Sequence, residues 1–248
     1  MTSARPTPDN PELEIDFPDH QRRWTVLPRL MLAIPHLVML FFLSIALIVP
    51  LAIGWFAALV LGRLPGWAHQ FISNYLCWYA RVTGYLMLLT DRYPPFGFAS
   101  SDYPVRITLG EQRALNRAAV LFRIILIIPV YIVSALLSNG VWLLSLVTWV
   151  AELVLGRIPV VLFEANAAVL RYGVRSQAYG YMLTSAYPKK LFGDGPTTGA
   201  RPTTRPLLLS SLAQACIIVT LVLGLVSDNT NDMKWILSIE SGEHTQSN

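Results

Sequence analysis

The chain has 248 residues, of which 54% are apolar and only 14% are charged, and its mean hydropathy is +0.48. A soluble domain carries about 25% charged residues, so this composition indicates an integral membrane protein. It excludes the disordered, collagenous and coiled-coil classes, and two cysteines are too few for a disulfide scaffold.

The chain begins with a polar, Pro-rich stretch, and residues 1–10 are predicted to be disordered. Apolar and polar residues then alternate at 12–17, and the same alternation returns at 106–109. A period of two is typical of a half-buried strand. The sequence therefore predicts two short strands, one ahead of each long apolar run.

Three apolar runs stand out, at 30–61, 124–155 and 207–226. The third has 20 residues, which matches a bilayer core of about 30 Å as one transmembrane helix. The first two have 32 residues each, or about 48 Å as straight helices. A break at Pro50 in one and at Asn139-Gly140 in the other predicts helical hairpins over about 26–61 and 118–155. One long kinked helix per run is the alternative, since membrane helices tolerate Pro and Gly.

The charges favour the hairpins. Four basic residues precede the first run, five lie within 62–116 and seven within 157–206, whereas one follows residue 226. Lys and Arg concentrate on the cytoplasmic side of membrane proteins, and hairpins return every basic segment to that side. The sequence predicts a cytoplasmic N-terminus, a linker at 193–206, and an acidic extracytoplasmic tail at 227–248.

The chain also repeats itself. Val60-Leu61-Gly62-Arg63 recurs 94 residues later, and the same ungapped offset relates Pro35 to Pro129, Trp55 to Trp149 and Tyr85 to Tyr179. We interpret this as a tandem duplication with copies at 11–98 and 105–192. An even number of crossings per copy predicts parallel copies, whose two strands can pair at the cytoplasmic face.

Each copy continues with a segment of mixed character, at 67–90 and 161–184. Gln70, Asn74, Cys77 and Arg81 share one helical face there. A narrow polar stripe with a wide aromatic face is typical of a helix in the headgroup interface. The alternative is a helix buried in the bundle, with its arginine paired to an acid.

Four motifs of the first copy carry a family resemblance. They are Arg29-Leu-x-Leu-x-Ile-Pro35-His36, Trp55-Phe56-Ala57, Gly62-Arg63-x-Pro65 and Leu88-Leu-Thr-Asp-Arg-Tyr-Pro-Pro-Phe96. These motifs resemble the DUF4389 family of bacterial membrane proteins. The resemblance covers roughly 11–192 and implies a bacterial cytoplasmic membrane location. Because that family has no known function, it implies no activity and no catalytic residues. The second copy departs from the pattern at Val130 and at Ser185.

No catalytic, cofactor or metal motif is present, so we expect no enzyme activity and no cofactor. Charged and polar groups within or near apolar runs are the default functional candidates. The expected partners are the bilayer with its anionic headgroups and other envelope proteins, and nucleic acid is not expected. The candidate lipid or ligand contacts are Arg29, His36, Arg81, Arg123, Glu152 and Arg175.

Together these patterns predict an all-α integral membrane protein. It has two tandem helical-hairpin repeats, each with an interfacial amphipathic helix and a short N-terminal strand, and one C-terminal transmembrane helix. The preferred functional hypothesis is a non-enzymatic scaffold or accessory subunit of an envelope assembly. The alternative is a small transporter or lipid-handling protein, with a polar cavity between the repeats that involves His36 or Glu152.

Overall fold

The computed structural model describes residues 11–16, 28–98, 102–109, 114–188, 191 and 209–243. The predicted disordered segment at 1–10 and the predicted linker at 193–206 lie outside these residues. The described residues form five helices and two strands. In chain order the elements are β1 (Glu12–Ile15), α1 (Arg29–Leu61), α2 (Gly66–Leu86), β2 (Val105–Thr108), α3 (Arg117–Leu155), α4 (Val160–Gly180) and α5 (Ser211–Glu243).

Each long apolar run is one continuous helix, so the predicted hairpins at about 26–61 and 118–155 are wrong. α1 continues through Pro50, and α3 continues through Asn139-Gly140. Gly140 serves close packing rather than a turn, because a Cβ there would overlap the carbonyl oxygen of Thr220 on α5. Small residues of this kind let two helix backbones approach closely in membrane bundles.

A helical hairpin is nevertheless present in each copy, with its turn at the Gly-Arg-x-Pro motif. Gly62 and Gly156 follow α1 and α3 in the left-handed conformation, with φ of 70° and 71°, which costs glycine little. Pro65 and Pro159 then stand immediately before α2 and α4 in extended geometry. The duplicated motif therefore encodes a duplicated turn.

The second helix of each hairpin runs back along the first. Arg29, at the start of α1, donates a hydrogen bond to the carbonyl oxygen of Tyr85 near the end of α2. Arg123 makes the same contact with Tyr179 in the second copy. The two hairpins, α1 with α2 and α3 with α4, thus share one antiparallel arrangement.

The two strands pair in an antiparallel ladder, which confirms the predicted pairing. Leu13 faces Ile107, its own counterpart 94 residues later. The two flanking pairs are Glu12 with Thr108 and Glu14 with Arg106. Arg106 is the counterpart of Glu12 and Thr108 is the counterpart of Glu14, so the 94-residue offset converts each pair into the other. Equivalent residues can face each other in an antiparallel ladder only if a two-fold axis passes between them and relates the two copies.

The helices obey the same two-fold relation. Near the middle of α2, Tyr75 lies beside Tyr181, with ring centroids 6.4 Å apart. Past the end of α2, the carbonyl oxygen of Met87 accepts a hydrogen bond from Asn166. Contacts therefore move backwards along α4 as α2 advances, so the copies are antiparallel and the predicted parallel arrangement is wrong.

The helices α2 and α4 lie inside the molecule, in contrast to the predicted interfacial position. Tyr75, Trp78 and Tyr85 of the supposed lipid-facing side are all buried, and most of α4 is buried as well. The sheet helps to cover them, since Val105 of β2 packs on Gly84 of α2. The bundle alternative was correct about burial, and Arg81 of α2 donates its hydrogen bonds to backbone carbonyl groups.

Helices α1, α3 and α5 form the outer layer. Their outward side chains are almost all apolar, and among the described residues α1 and α3 are long and apolar enough to cross a membrane by length and composition. The third apolar run, at 207–226, overlaps the start of α5, whose apolar part is Ser211–Ser227. Glu164 of α4 accepts two hydrogen bonds from Ser210 and so fixes the start of α5.

Candidate functional site

Two equivalent arginines begin the buried stripes of α1 and α3. Arg29 and Arg123 are both buried, and each guanidinium lies over a tyrosine ring, at 4.6 Å from Tyr85 and 4.4 Å from Tyr179. Stacking and the carbonyl bond together tie the start of one helix to the end of the next. Because the arrangement occurs in both copies, we assign it a structural role.

Only the first of these arginines has acidic neighbours in the part of the chain that the structure describes. Arg29 forms an ion pair of 2.9 Å with Asp91, at a position where the second copy has Ser185. Glu152, near the end of α3, lies within the electrostatic influence of both groups. Its counterpart in the first copy is Ala58. The two copies have therefore diverged. Among the described residues, two carboxyl groups lie near Arg29, whereas none lies near Arg123.

Glu152 is the most unusual of the predicted site residues. It is 0% exposed, and within the described part of the chain neither carboxyl oxygen has a hydrogen-bond partner. Burying a carboxyl group in this way costs free energy. The structure thus brings Glu152 towards Arg29, but it does not place the carboxyl in an open cavity.

His36 is covered by aromatic rings. Its Nδ1 accepts a hydrogen bond of 3.2 Å from Trp78, and Phe96 stacks on the imidazole with centroids 4.0 Å apart. Tyr93 lies against it at 5.0 Å and donates to the carbonyl oxygen of Leu32. The Tyr-Pro-Pro-Phe segment therefore folds over α1 as a structural cover, and His36 is 0% exposed.

The remaining predicted residues, Arg81 and Arg175, occupy equivalent positions on α2 and α4, and Arg81 lies beside β2. Both are buried. Arg81 donates to three backbone carbonyl groups, those of Cys77, Gly97 and Phe98. No carboxylate forms an ion pair with Arg81 in the described ranges.

A cavity of about 230 Å³ opens beside Arg81, between α2 and β2. Arg106 of β2 also borders it and forms ion pairs with Asp16 and Glu14 at 2.9 and 3.6 Å. The hydrogen bond to Asp16 raises the pKa of the Arg106 guanidinium, which stays charged. Sequence reasoning missed this arginine, although its place in the alternating stretch was the available signal.

The part of the chain that the structure describes contains no group of three His, Cys, Asp or Glu side chains placed to hold a metal ion. Burial raises the pKa of the Tyr103 phenol, whose hydroxyl donates to the carbonyl oxygen of Arg92. That tyrosine braces the loop before β2.

These features define a duplicated helical protein whose two antiparallel hairpins share a central two-stranded sheet. Two segments, residues 23–97 and 117–191, match the family model described as domain of unknown function (DUF4389). Together they make up more than half of the chain, which therefore belongs to the DUF4389 family. Comparison with curated proteins and with solved structures gives no match.

Proposed function

We propose that this protein is a non-enzymatic integral protein of the bacterial cytoplasmic membrane that serves as a scaffold or accessory subunit of an envelope assembly. The observation that carries the proposal is the outward display of large apolar side chains along α1, α3 and α5. Soluble monomers rarely expose a contiguous apolar patch of more than a few hundred Å². Lipid is the solvent that this outer layer fits.

The dimensions support the same placement. α1 has 33 residues and α3 has 39, so each is longer than the bilayer core of about 30 Å by roughly 20 Å or more. Long apolar helices accommodate such an excess by tilting or by extending beyond the core. The less apolar α2 and α4 then cross inside the protein, where neighbouring helices shield their arginines from lipid.

The orientation follows from α5. Glu164 holds its start near the Arg157 end of the bundle, and the helix runs antiparallel to α3 from there. Because one basic residue follows residue 226, whereas seven lie within 157–206, we place the C-terminal end of α5 outside the cell. The end of the molecule with Arg29, Asp91 and Arg157 then faces the cytoplasm, where anionic headgroups are the expected contacts.

The scaffold role is favoured over transport because of how the polar groups are covered. A transporter needs a polar path between its two repeats. His36 and Glu152, the groups expected to line such a path, are both 0% exposed. This geometry provides outer surfaces that can contact lipid or a partner protein, and it does not provide an internal polar path past His36 and Glu152.

Native gel electrophoresis of the full-length protein tests this role. Protein extracted from its own membranes with a mild detergent is expected to migrate in a complex of defined size with the same envelope protein in independent preparations. Migration as an isolated chain in several mild detergents would contradict the scaffold role. Release of the protein from membranes at high pH would contradict membrane integration.

A further inference from the structure

The cavity beside Arg81 has a polar rim and an apolar wall. Its volume of about 230 Å³ is several times the roughly 30 Å³ share of one water molecule, so it has room for a small polyatomic group. Two arginines, a threonine and a cysteine are among the residues that border it. The lining residues are Cys77, Arg81, Phe98, Val105, Arg106, Ile107 and Thr108.

The side chain of Arg81 is fixed and has one donor group to spare. Three hydrogen bonds of 3.0 to 3.3 Å hold its Nε and Nη2 on backbone carbonyl groups. Its Nη1 is buried without a hydrogen-bond partner among the described residues, and the whole residue is 2% exposed. Because carbonyl groups are neutral, these three bonds do not compensate the positive charge of Arg81, and burying a charge without compensation is costly.

We propose that this cavity binds a phosphate group between Arg81 on one wall and Arg106 on the other. Guanidinium groups match the geometry of phosphate oxygens and form short, charge-assisted hydrogen bonds with them. Thr108 also borders the cavity on the β2 side. Glu14 and Asp16, which pair with Arg106, hold that arginine in place and are not part of the lining.

The two-fold relation explains why this space is open in the first copy. The counterpart of Cys77 is Arg171, and the counterpart of Ile107 is Leu13. Arg171 donates a hydrogen bond to the carbonyl oxygen of Leu13, so a guanidinium of the protein itself lies between helix and strand in the second copy. In the first copy the short thiol leaves the equivalent space open.

This comparison supplies a test variant. Cys77→Arg introduces the side chain that the fold already accommodates at the related position, and it should fill the cavity without unfolding the protein. Arg81→Gln removes the charge and the spare donor. Arg175→Gln, the same change at the equivalent residue of the second copy, is the matched control, and thermal unfolding in detergent checks that each variant is folded.

Binding is measured on the full chain in detergent with two kinds of phosphate source. Glycerol phosphate is titrated by calorimetry, and native mass spectrometry compares retained phosphatidylglycerol with a phosphate-free galactolipid. We expect the wild-type chain to bind the phosphate-bearing probe in at least one of the two experiments. Cys77→Arg and Arg81→Gln should each weaken the affinity for that probe about tenfold, or about 1.4 kcal/mol. Arg175→Gln should leave the affinity unchanged. Binding in the first arm identifies a soluble phosphate ester, and binding only in the second identifies a lipid headgroup.

The proposed site is overturned if the wild-type chain does not bind glycerol phosphate and does not retain phosphatidylglycerol in preference to the galactolipid. Equal binding by wild type and both cavity variants would overturn it as well. The scaffold role does not enter this test, because the phosphate site is assayed on the isolated chain.

Discussion

At the scale of single residues, the informative contrast is between the two equivalent arginines. Arg29 and Arg123 make the same carbonyl bond and the same ring contact. Of these two arginines, only Arg29 forms an ion pair with a carboxylate in the described structure, and that carboxylate belongs to Asp91. The shared part is therefore structural, and the difference isolates the contribution of the ion pair.

Replacing each arginine with Met separates these contributions. Both substitutions remove a buried anchor and should lower the free energy of unfolding. Arg29→Met should lower it further, by about 1.5 to 3 kcal/mol, because hydrogen bonds to charged groups are worth that much and this variant also loses the ion pair with Asp91. Reversible unfolding in detergent measures the two losses, and equal losses would show that the ion pair contributes nothing.

The residues of this region were only partly accessible from the sequence. The sequence indicated that Arg29 and Arg123 lie beside the apolar runs, as candidate lipid or ligand contacts, but it did not predict their burial. Asp91 could not be assigned as a partner, since 62 residues separate it from Arg29 and the contact exists only once α2 turns back along α1. Cys77 and Arg106 were likewise visible as residue types, but their common cavity depends on the sheet docking against α2.

At the scale of elements, the turns decide the outcome. The predicted ends of the two long apolar segments, at residues 61 and 155, are correct, but Asn139-Gly140 was wrongly interpreted as a turn. Turn dipeptides report local preference, and packing against α5 overrides that preference at this position. The ends of α2 and α4 were also missed, because Leu88 and Met182 adopt positive φ of 62° and 64° without being glycine.

Two glycines test the packing role directly. Gly140→Ala should disrupt the contact of α3 with α5, since the added Cβ meets the backbone of Thr220, and the free energy of unfolding should fall by about 1 to 3 kcal/mol. Gly173→Ala places a Cβ where nothing lies within 4 Å. That control should be neutral or raise stability by up to about 1 kcal/mol through helix propensity. Similar effects of the two changes would contradict close packing at Gly140.

At the scale of the whole molecule, the duplication was predictable and its symmetry was not. A constant offset of 94 residues revealed two copies, but the number of crossings had to be inferred from the arginines. Several of those arginines, including Arg29, Arg81, Arg123 and Arg175, are buried among helices. Buried arginines serve packing and hydrogen bonding, so their number does not report on sidedness.

The contacts between α2 and α4 settle the relation between the copies, because they move backwards along α4 as α2 advances. The two Gly-Arg-x-Pro turns lie at opposite ends of α3. Gly62 accepts a hydrogen bond from Leu115, just before α3, whereas Gly156 follows the far end of that helix. The proposed membrane placement of α1 and α3 therefore exposes Arg63 and Arg157 on opposite membrane faces.

Sided labelling of those two turns tests this arrangement most directly. Both arginines are exposed, and each is replaced with Cys in a chain whose Cys77 and Cys216 are changed to Ala. With a membrane-impermeant maleimide, we predict that Arg63→Cys is labelled in intact cells, whereas Arg157→Cys is labelled only after the membrane is permeabilised. Labelling of both positions under the same condition would contradict the inverted arrangement.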